Sequence, residues 1–315
     1  MSRNCLICNL ENPEPAHFWK EHKVRESVYY TTYLPRFDKL TGESMAFKSR
    51  DGYLLNDFST KLNLKQWLKA QTIDGQRTYL KEILVKRKEF KNLTYIPTQV
   101  EQRSAENMVG IKYYNTLFND YYKLCEELGF KSRGFHNITE KTILKRSVNL
   151  RGNPILCDSR EQSILDFNNK TVEISTLPVG DYTIKNDNHN IFVERKSLND
   201  LISTFGPKNF PRFKRELIRA QALNSYIILL VENNINTALG FDHSTFYNRH
   251  TQMTATFLFH QIRTLLQEHS NWQIGFCKSR ADMQNTILRI FEMGDFWKKA
   301  DIQLAIDLGL FKEGI

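Results

Sequence analysis

Residues 157–200 read CDSREQSILDFNNKTVEISTLPVGDYTIKNDNHNIFVERKSLND, and the alternation of short apolar runs with carboxylates in this stretch decides the fold. Pro154–Asp158 (PILCD) is an apolar run that ends in an acid. Thr171–Leu177 reads as a second strand, Val179–Ile184 as a third entered through Gly180, and Ile191–Lys196 as a fourth. The turn-rich KNDNHN separates the last two, as expected of a hairpin. Side chains alternate along a strand, so Glu194 and Lys196 share a face and Arg195 points away. Pairing of the third and fourth strands then brings Asp181 beside Glu194.

Outward from this stretch the texture continues. Helices are expected at Leu198–Phe205 and Pro211–Leu223, divided by a Gly-Pro loop. Ser225–Glu232 (SYIILLVE) is almost wholly apolar, which marks a strand buried on both faces. Met253–Glu268 reads as an amphipathic helix, Trp272–Cys277 as a strand and Ala281–Met293 as a helix. The expectation is an α/β fold, a mixed sheet flanked by helices on both sides.

Acids gathered at a sheet end raise one another's pKa or recruit a cation. Asp158, Glu161, Asp181 and Glu194 offer the hard oxygen donors that Mg²⁺ or Mn²⁺ prefers. Such an ion uses one or two carboxylates, keeps waters and accepts phosphate oxygens. It can generate hydroxide and stabilise charge on a cleaving phosphodiester. Lys196 is placed to orient the attacking water or stabilise the transition state. The competing reading makes Glu194, Lys196 and Asp200 a solvated charge patch. Three features favour chemistry: the strand-end position, the Gly-Asp at hairpin distance, and the Asp-x-Arg-Glu that closes the first strand.

These residues resemble the XPF-type endonuclease domain, one of the restriction-endonuclease-like folds. That family's signature is Gly-Asp, a variable gap, Glu-Arg-Lys, three residues and Asp. Here Gly180-Asp181, twelve intervening residues, Glu194-Arg195-Lys196 and Asp200 match it without a break. Phe210-Pro211-Arg212-Phe213-Lys214 is similar to the family's next loop and helix, and the resemblance runs over about 153–293. It implies a metal-dependent endonuclease acting on DNA, with structured or branched DNA as its substrate. Asp158, Asp181 and Glu194 would ligate metal, with Glu161 doing so directly or through water. Lys196 would be the catalytic lysine, and Arg195 and Asp200 would support the site by pairing with each other. Arg160, Arg212 and Lys214 would touch DNA. Pairing with a second nuclease domain, in a homodimer or heterodimer, is also implied. A non-catalytic DNA-binding scaffold and an RNA nuclease remain open as rivals. Many relatives carry a tandem helix-hairpin-helix module after the nuclease, and the stretch after Met293 is expected to be a short tail instead.

The first half differs in character. Residues 1–150 carry a net charge of +8 and residues 151–315 of +1, so a basic body precedes a nearly neutral one. A basic excess suits a polyanionic partner. Residues 27–56 read as a tyrosine-rich hairpin, and helices are expected over 59–91 and 106–128. Together these make residues 26–130 a smaller α+β domain, with a polar, basic linker at 131–152. Lys86, Arg87 and Lys88 are candidates for phosphate contact, although Arg87 also falls on the apolar stripe with Tyr79, Leu80, Ile83 and Leu84.

At the N-terminus, Cys5, Cys8, His17 and His22 give C-x2-C-x8-H-x4-H over residues 1–25. Two thiolates and two imidazoles suit a tetrahedral structural Zn²⁺. The competing reading is a pair of stray cysteines beside an ordinary helix. Cys125, Cys157 and Cys277 read as core residues. Five cysteines in 315 residues are too few for a disulfide scaffold. No apolar run approaches eighteen residues and no signal-peptide pattern opens the chain, so an intracellular protein without a membrane span is expected.

Overall fold

A computed structural model of the chain describes residues 10, 14–23, 61–105, 108–139, 148–186, 188–241 and 253–311. The chain forms two compact units, Met1–Ile96 with Ala105–Lys131, and Pro97–Ser104 with Ser132–Ile315. Among the described residues no helix is long and apolar enough to cross a membrane.

The first unit is helical where it is described. It contains α1 (Pro15–His22), α2 (Lys61–Ala70), α3 (Ile73–Lys91), α5 (Ile111–Phe118) and α6 (Tyr121–Glu127), while α4 (Gln99–Ser104) belongs to the second unit. The expected hairpin at 27–56 lies outside the described residues. Each long helix expected from apolar spacing is in fact two, because a polar residue caps a new start within it. Thr72 accepts the Gly75 N–H on its hydroxyl at 3.1 Å and opens α3. Asn119 turns left-handed (φ 66°), and Asp120 then accepts the Tyr122 N–H at 2.9 Å to open α6. The stripes themselves hold: Tyr79, Leu80, Ile83, Leu84 and Arg87 are the buried residues of α3.

That stripe corrects two of the expected phosphate contacts. Arg87 is only 3% exposed, so it faces the unit's own core. Lys88 donates to the carbonyls of Leu128 at 3.0 Å and Gly129 at 2.6 Å, where the turn after α6 leaves acceptors without helical partners. Of the three, Lys86 alone is exposed to solvent.

The second unit is built on a six-stranded mixed sheet in the order β2-β1-β3-β4-β5-β6. The strands are β1 (Ile155–Asp158), β2 (Val172–Ser175), β3 (Tyr182–Ile184), β4 (Ile191–Lys196), β5 (Tyr226–Glu232) and β6 (Trp272–Cys277). β1 runs parallel to β2 and antiparallel to β3, and β3 is antiparallel to β4. β4, β5 and β6 are parallel, as crossover helices require. Those helices are α7 (Leu198–Thr204) and α8 (Phe210–Ala222) between β4 and β5, and α9 (Ile235–Leu239) and α10 (Ala255–Glu268) between β5 and β6; α11 (Arg280–Met293) follows β6. The expected α/β architecture is therefore present. β5 is buried along Tyr226–Val231, and Leu201, Phe213, Leu217, Leu258 and Ile262 from α7, α8 and α10 join it in one core. Cys125, Cys157 and Cys277 are buried free thiols, as core residues should be.

Residues after Met293 are not a loose tail. A 3-10 turn (Gly294–Lys299) leads into α12 (Ile302–Leu308), which lies directly on β6. Gly275 in β6 makes this possible, since a Cβ there would stand 2.8 Å from Ile302 Cγ2. Asp301 caps α12 through the Leu304 N–H at 2.9 Å and also accepts the Gln99 N–H at 2.6 Å, tying α4 to the same face.

Candidate active site

Asp181, at the entry to β3, is tied to both neighbouring strands, β4 and β1. Its backbone N–H donates to Val193 O at 2.9 Å, and its carbonyl accepts the Asp158 N–H at 2.8 Å. Its carboxylate oxygen Oδ2 accepts the Arg195 N–H at 2.7 Å, taking the place of a ladder acceptor. Gly180 makes the approach possible. Its φ is +67°, and a Cβ would sit 3.0 Å from Phe192 Cβ and 3.2 Å from Val193 O. The Gly-Asp pair is thus a geometric unit: the glycine lets the chain come close, and the acid is then held at a strand end.

On β4 the alternation places Glu194 and Lys196 on one face, where Lys196 Nζ donates to Glu194 Oε1 at 2.5 Å. Both lie on a cleft of about 320 Å³ that also receives Asp158, Arg160, Gly180, Asp181, Arg212 and Glu216. Burial pushes the Asp181 carboxyl up to about 6, against the pull of the Arg195 amide and Lys196. Burial, together with the charge of Asp181, pushes Glu194 up to about 7. For Lys196, burial favours the neutral amine but the contact with Glu194 outweighs it, so its pKa is raised. Two desolvated carboxylates facing one cleft are short of positive charge, which is the condition a hard divalent cation relieves. The donor set therefore fits Mg²⁺ or Mn²⁺ at Asp181 and Glu194.

Asp158 differs from these two. Its Oδ1 accepts the Arg160 N–H at 2.9 Å and Arg160 Nε at 2.6 Å, while Oδ2 accepts Arg160 Nη2 at 2.9 Å and the Leu177 N–H at 2.8 Å. The Arg160 fork holds the Asp158 carboxyl down at about 2. The expected ligand trio of Asp158, Asp181 and Glu194 thus reaches one cleft, but Asp158 arrives with its lone pairs occupied. Among the described residues no three His, Cys, Asp or Glu side chains stand together as a ready metal cage.

Glu161, Arg195 and Asp200 stand behind the cleft rather than on its lining. Arg195 reaches Glu161 at 3.1 Å and Glu232 at 3.3 Å, and Arg280 approaches Glu232 at 3.5 Å. This corrects the expected Arg195–Asp200 pair: alternation sends Arg195 to the opposite face, where the acids ending β5 and following β1 wait for it. Asp200 instead accepts the Ser197 hydroxyl at 2.7 Å while its own N–H returns to Ser197 Oγ at 3.1 Å. That reciprocal pair caps the start of α7.

Of the residues expected to touch DNA, Arg212 lines the cleft, and its guanidinium makes no hydrogen bond or ion pair among the described residues. Lys214 is paired with Glu268 at 2.7 Å. Glu216 is the cleft residue that the sequence reading overlooked. A signal for it existed, because it lies four residues after Arg212 on α8 and so shares its helix face.

At the other end of the chain, His17 and His22 bring their Nε2 atoms to 3.1 Å, and the partner cysteines Cys5 and Cys8 lie outside the described residues. Two ligands at ordinary Zn–N distances around a tetrahedral ion stand about 3.3 Å apart, so this spacing is compatible with a shared ion.

Comparison with known proteins agrees with the second unit's geometry. Residues 157–290 match the model of the ERCC4 domain, and this segment is an XPF-type nuclease domain. Among solved structures, XPF from Aeropyrum pernix is similar, at a TM-score of 0.34 and 16% identity, over 44% of this chain and 64% of that one. The chain therefore spans less than two thirds of that relative. No curated protein matches the sequence.

Proposed function

We propose that the XPF-type nuclease domain of this chain is an active, metal-dependent endonuclease that hydrolyses phosphodiester bonds in structured DNA. The observation that carries the reading is the shared cleft. Asp181, Glu194 and Lys196 line it together with two arginines, Arg160 and Arg212. Asp181 and Glu194 would hold Mg²⁺ or Mn²⁺, with Asp181 fixed in orientation by the Arg195 amide. When bound there, such an ion would supply a nucleophile at neutral pH and neutralise charge on the scissile phosphate. Lys196 stabilises the anionic transition state from the same face of β4. Arg212, with its guanidinium uncommitted among the described residues, receives a flanking phosphate. Asp158 and Arg160 form a strut that ties the end of β1 to Leu177.

The test is cleavage of labelled flap, fork, nicked and linear DNA and of RNA hairpins, with Mg²⁺ or Mn²⁺, by the full chain and by D181N and K196M. Cleavage of branched DNA that falls at least 100-fold in both variants is the expected result, in line with the loss of an electrostatic stabiliser of the transition state. Equal activity in wild type and D181N overturns the site, RNA as the preferred substrate overturns the substrate class, and no cleavage of any substrate by the wild type overturns the activity.

A further inference from the structure

Lys196 is held at 2.5 Å by Glu194 Oε1, the same carboxylate that the proposed chemistry assigns to a cation. A carboxylate that turns to a divalent ion gives up much of its charge and a lone pair to it, and the ammonium it held loses its seat. Lys196 is only 20% exposed, and an ammonium so far from solvent is costly without an anion beside it. Three acids act on Lys196: Glu194, Asp181 and Glu216. Asp181 already spends Oδ2 on the Arg195 N–H, and its remaining oxygen is wanted by the same ion. Glu216 is left. It lines the cleft from α8, and its carboxylate makes no hydrogen bond or ion pair among the described residues. Its helix is anchored on both sides of it by Phe213 and Leu217, which are buried in the core.

We propose that Glu216 is the second seat of Lys196: when Glu194 turns to a cation, the ammonium passes from Glu194 to Glu216 and stays charged inside the cleft. Glu216 is then a positioning residue, acting through Lys196. The inference rests on the metal-dependent reading above and adds to it an acid that lies outside the Gly-Asp…Glu-Arg-Lys signature.

The experiment is a double-mutant cycle on Mn²⁺ affinity, read by electron paramagnetic resonance or calorimetry without DNA, on the full chain, E216Q, K196M and the double variant. E216Q is expected to weaken Mn²⁺ binding about tenfold, or about 1.4 kcal/mol, because the displaced lysine has nowhere to go. In the K196M background, with no ammonium to rehouse, the same change is expected to cost less than about twofold. An equal loss in both backgrounds makes Glu216 a direct ligand and overturns the hand-over, and no loss in either makes it a solvated surface acid and overturns it too. If wild type cleaves DNA and binds Mn²⁺ while E216Q binds it equally well, this inference alone falls. If wild type neither binds Mn²⁺ nor cleaves, the functional reading falls and takes the inference with it.

Discussion

Replacing Asp158 by asparagine separates two roles that the sequence motif leaves merged, metal ligand and strut. In the structure this carboxylate accepts four hydrogen bonds, three of them from Arg160 and one from the Leu177 amide. Its pKa stands at about 2 instead of 3.8; the carboxylate is 2% exposed but its partner Arg160 is 64% exposed, so solvent screens part of the interaction. The shift then sets an upper bound of about 2 to 3 kcal/mol on the preference for the ionised form in the fold. Because the folded pKa is depressed, this stability is present in full above the unfolded pKa and is lost as pH falls through about 4 toward 2. In a domain of this size each kcal/mol moves Tm by about 2–4 °C, so D158N should melt measurably below wild type at pH 7, by up to about 10 °C. The gap should narrow below pH ~4, as wild type loses what the variant never had. At 20 °C, with D158N still folded, its Mn²⁺ affinity should stay within about threefold of wild type, well short of a ligand's contribution. Scanning calorimetry from pH 3 to 7 and Mn²⁺ titration check both halves. A D158N protein that melts with wild type but no longer binds Mn²⁺ would refute the reasoning outright, because Asp158 would then be a ligand and its bonds to Arg160 incidental.

Three further outcomes follow from other parts of the molecule. Asp181 and Glu194 have raised pKa values, about 6 and about 7, so their contribution has the opposite sign: it is whole below the unfolded pKa and is lost as pH rises through 6 to 7. The metal-free protein should therefore melt a few degrees higher at pH 5.5 than at 7.5, D181N should flatten that slope, and saturating Mg²⁺ should abolish it, all measurable by thermal shift. K88M should destabilise the first unit by about 1–2 kcal/mol through its lost bonds to Leu128 and Gly129, whereas K86A should leave the denaturant midpoint unchanged. Elemental analysis should find one Zn²⁺ per chain, lost in C5S and in H17A, if the 3.1 Å approach of His17 and His22 marks two ligands of one ion.

The sheet was legible in the sequence because strand physics is local there. SYIILLVE can only be a strand covered on both faces, and the Gly-Asp with its partner Glu-x-Lys sits at a spacing that one hairpin resolves. What escaped were the places where one side chain decides. Thr72 and Asp120 each end an apolar stripe by capping a new helix, and no periodicity announces that. Arg87 shows the converse: its spacing put it among Tyr79, Leu80, Ile83 and Leu84, and its charge argued for the surface. The burial won. The Arg195 pairing failed for a topological reason, because its partners Glu161 and Glu232 come from segments 34 and 37 residues away. Glu216 was hidden by register: only when Arg212 is known to face the cleft does the residue one turn later become a site residue.

The chain places its acids at the strand ends in two distinct electrostatic states, and that division argues for chemistry more strongly than their number does. A structural ion pair lowers the pKa of its carboxylate, as Arg160 does for Asp158, while behind the cleft Glu161, Arg195, Glu232 and Arg280 interleave acid and base. Asp181 and Glu194 go the other way: Glu194 is buried and Asp181 half-buried, each carboxyl is desolvated, and they share one lysine, so the fold is less stable for having them ionised. Such a cost at neutral pH persists where something outside the chain removes it. The cleft is lined by two exposed arginines, Arg160 and Arg212, and by the less exposed acids Asp181 and Glu194, an arrangement in which a divalent ion would satisfy the acids and a phosphate backbone the arginines. Neither ligand alone balances both, so metal and nucleic acid should bind cooperatively here, each raising the affinity for the other by the same factor.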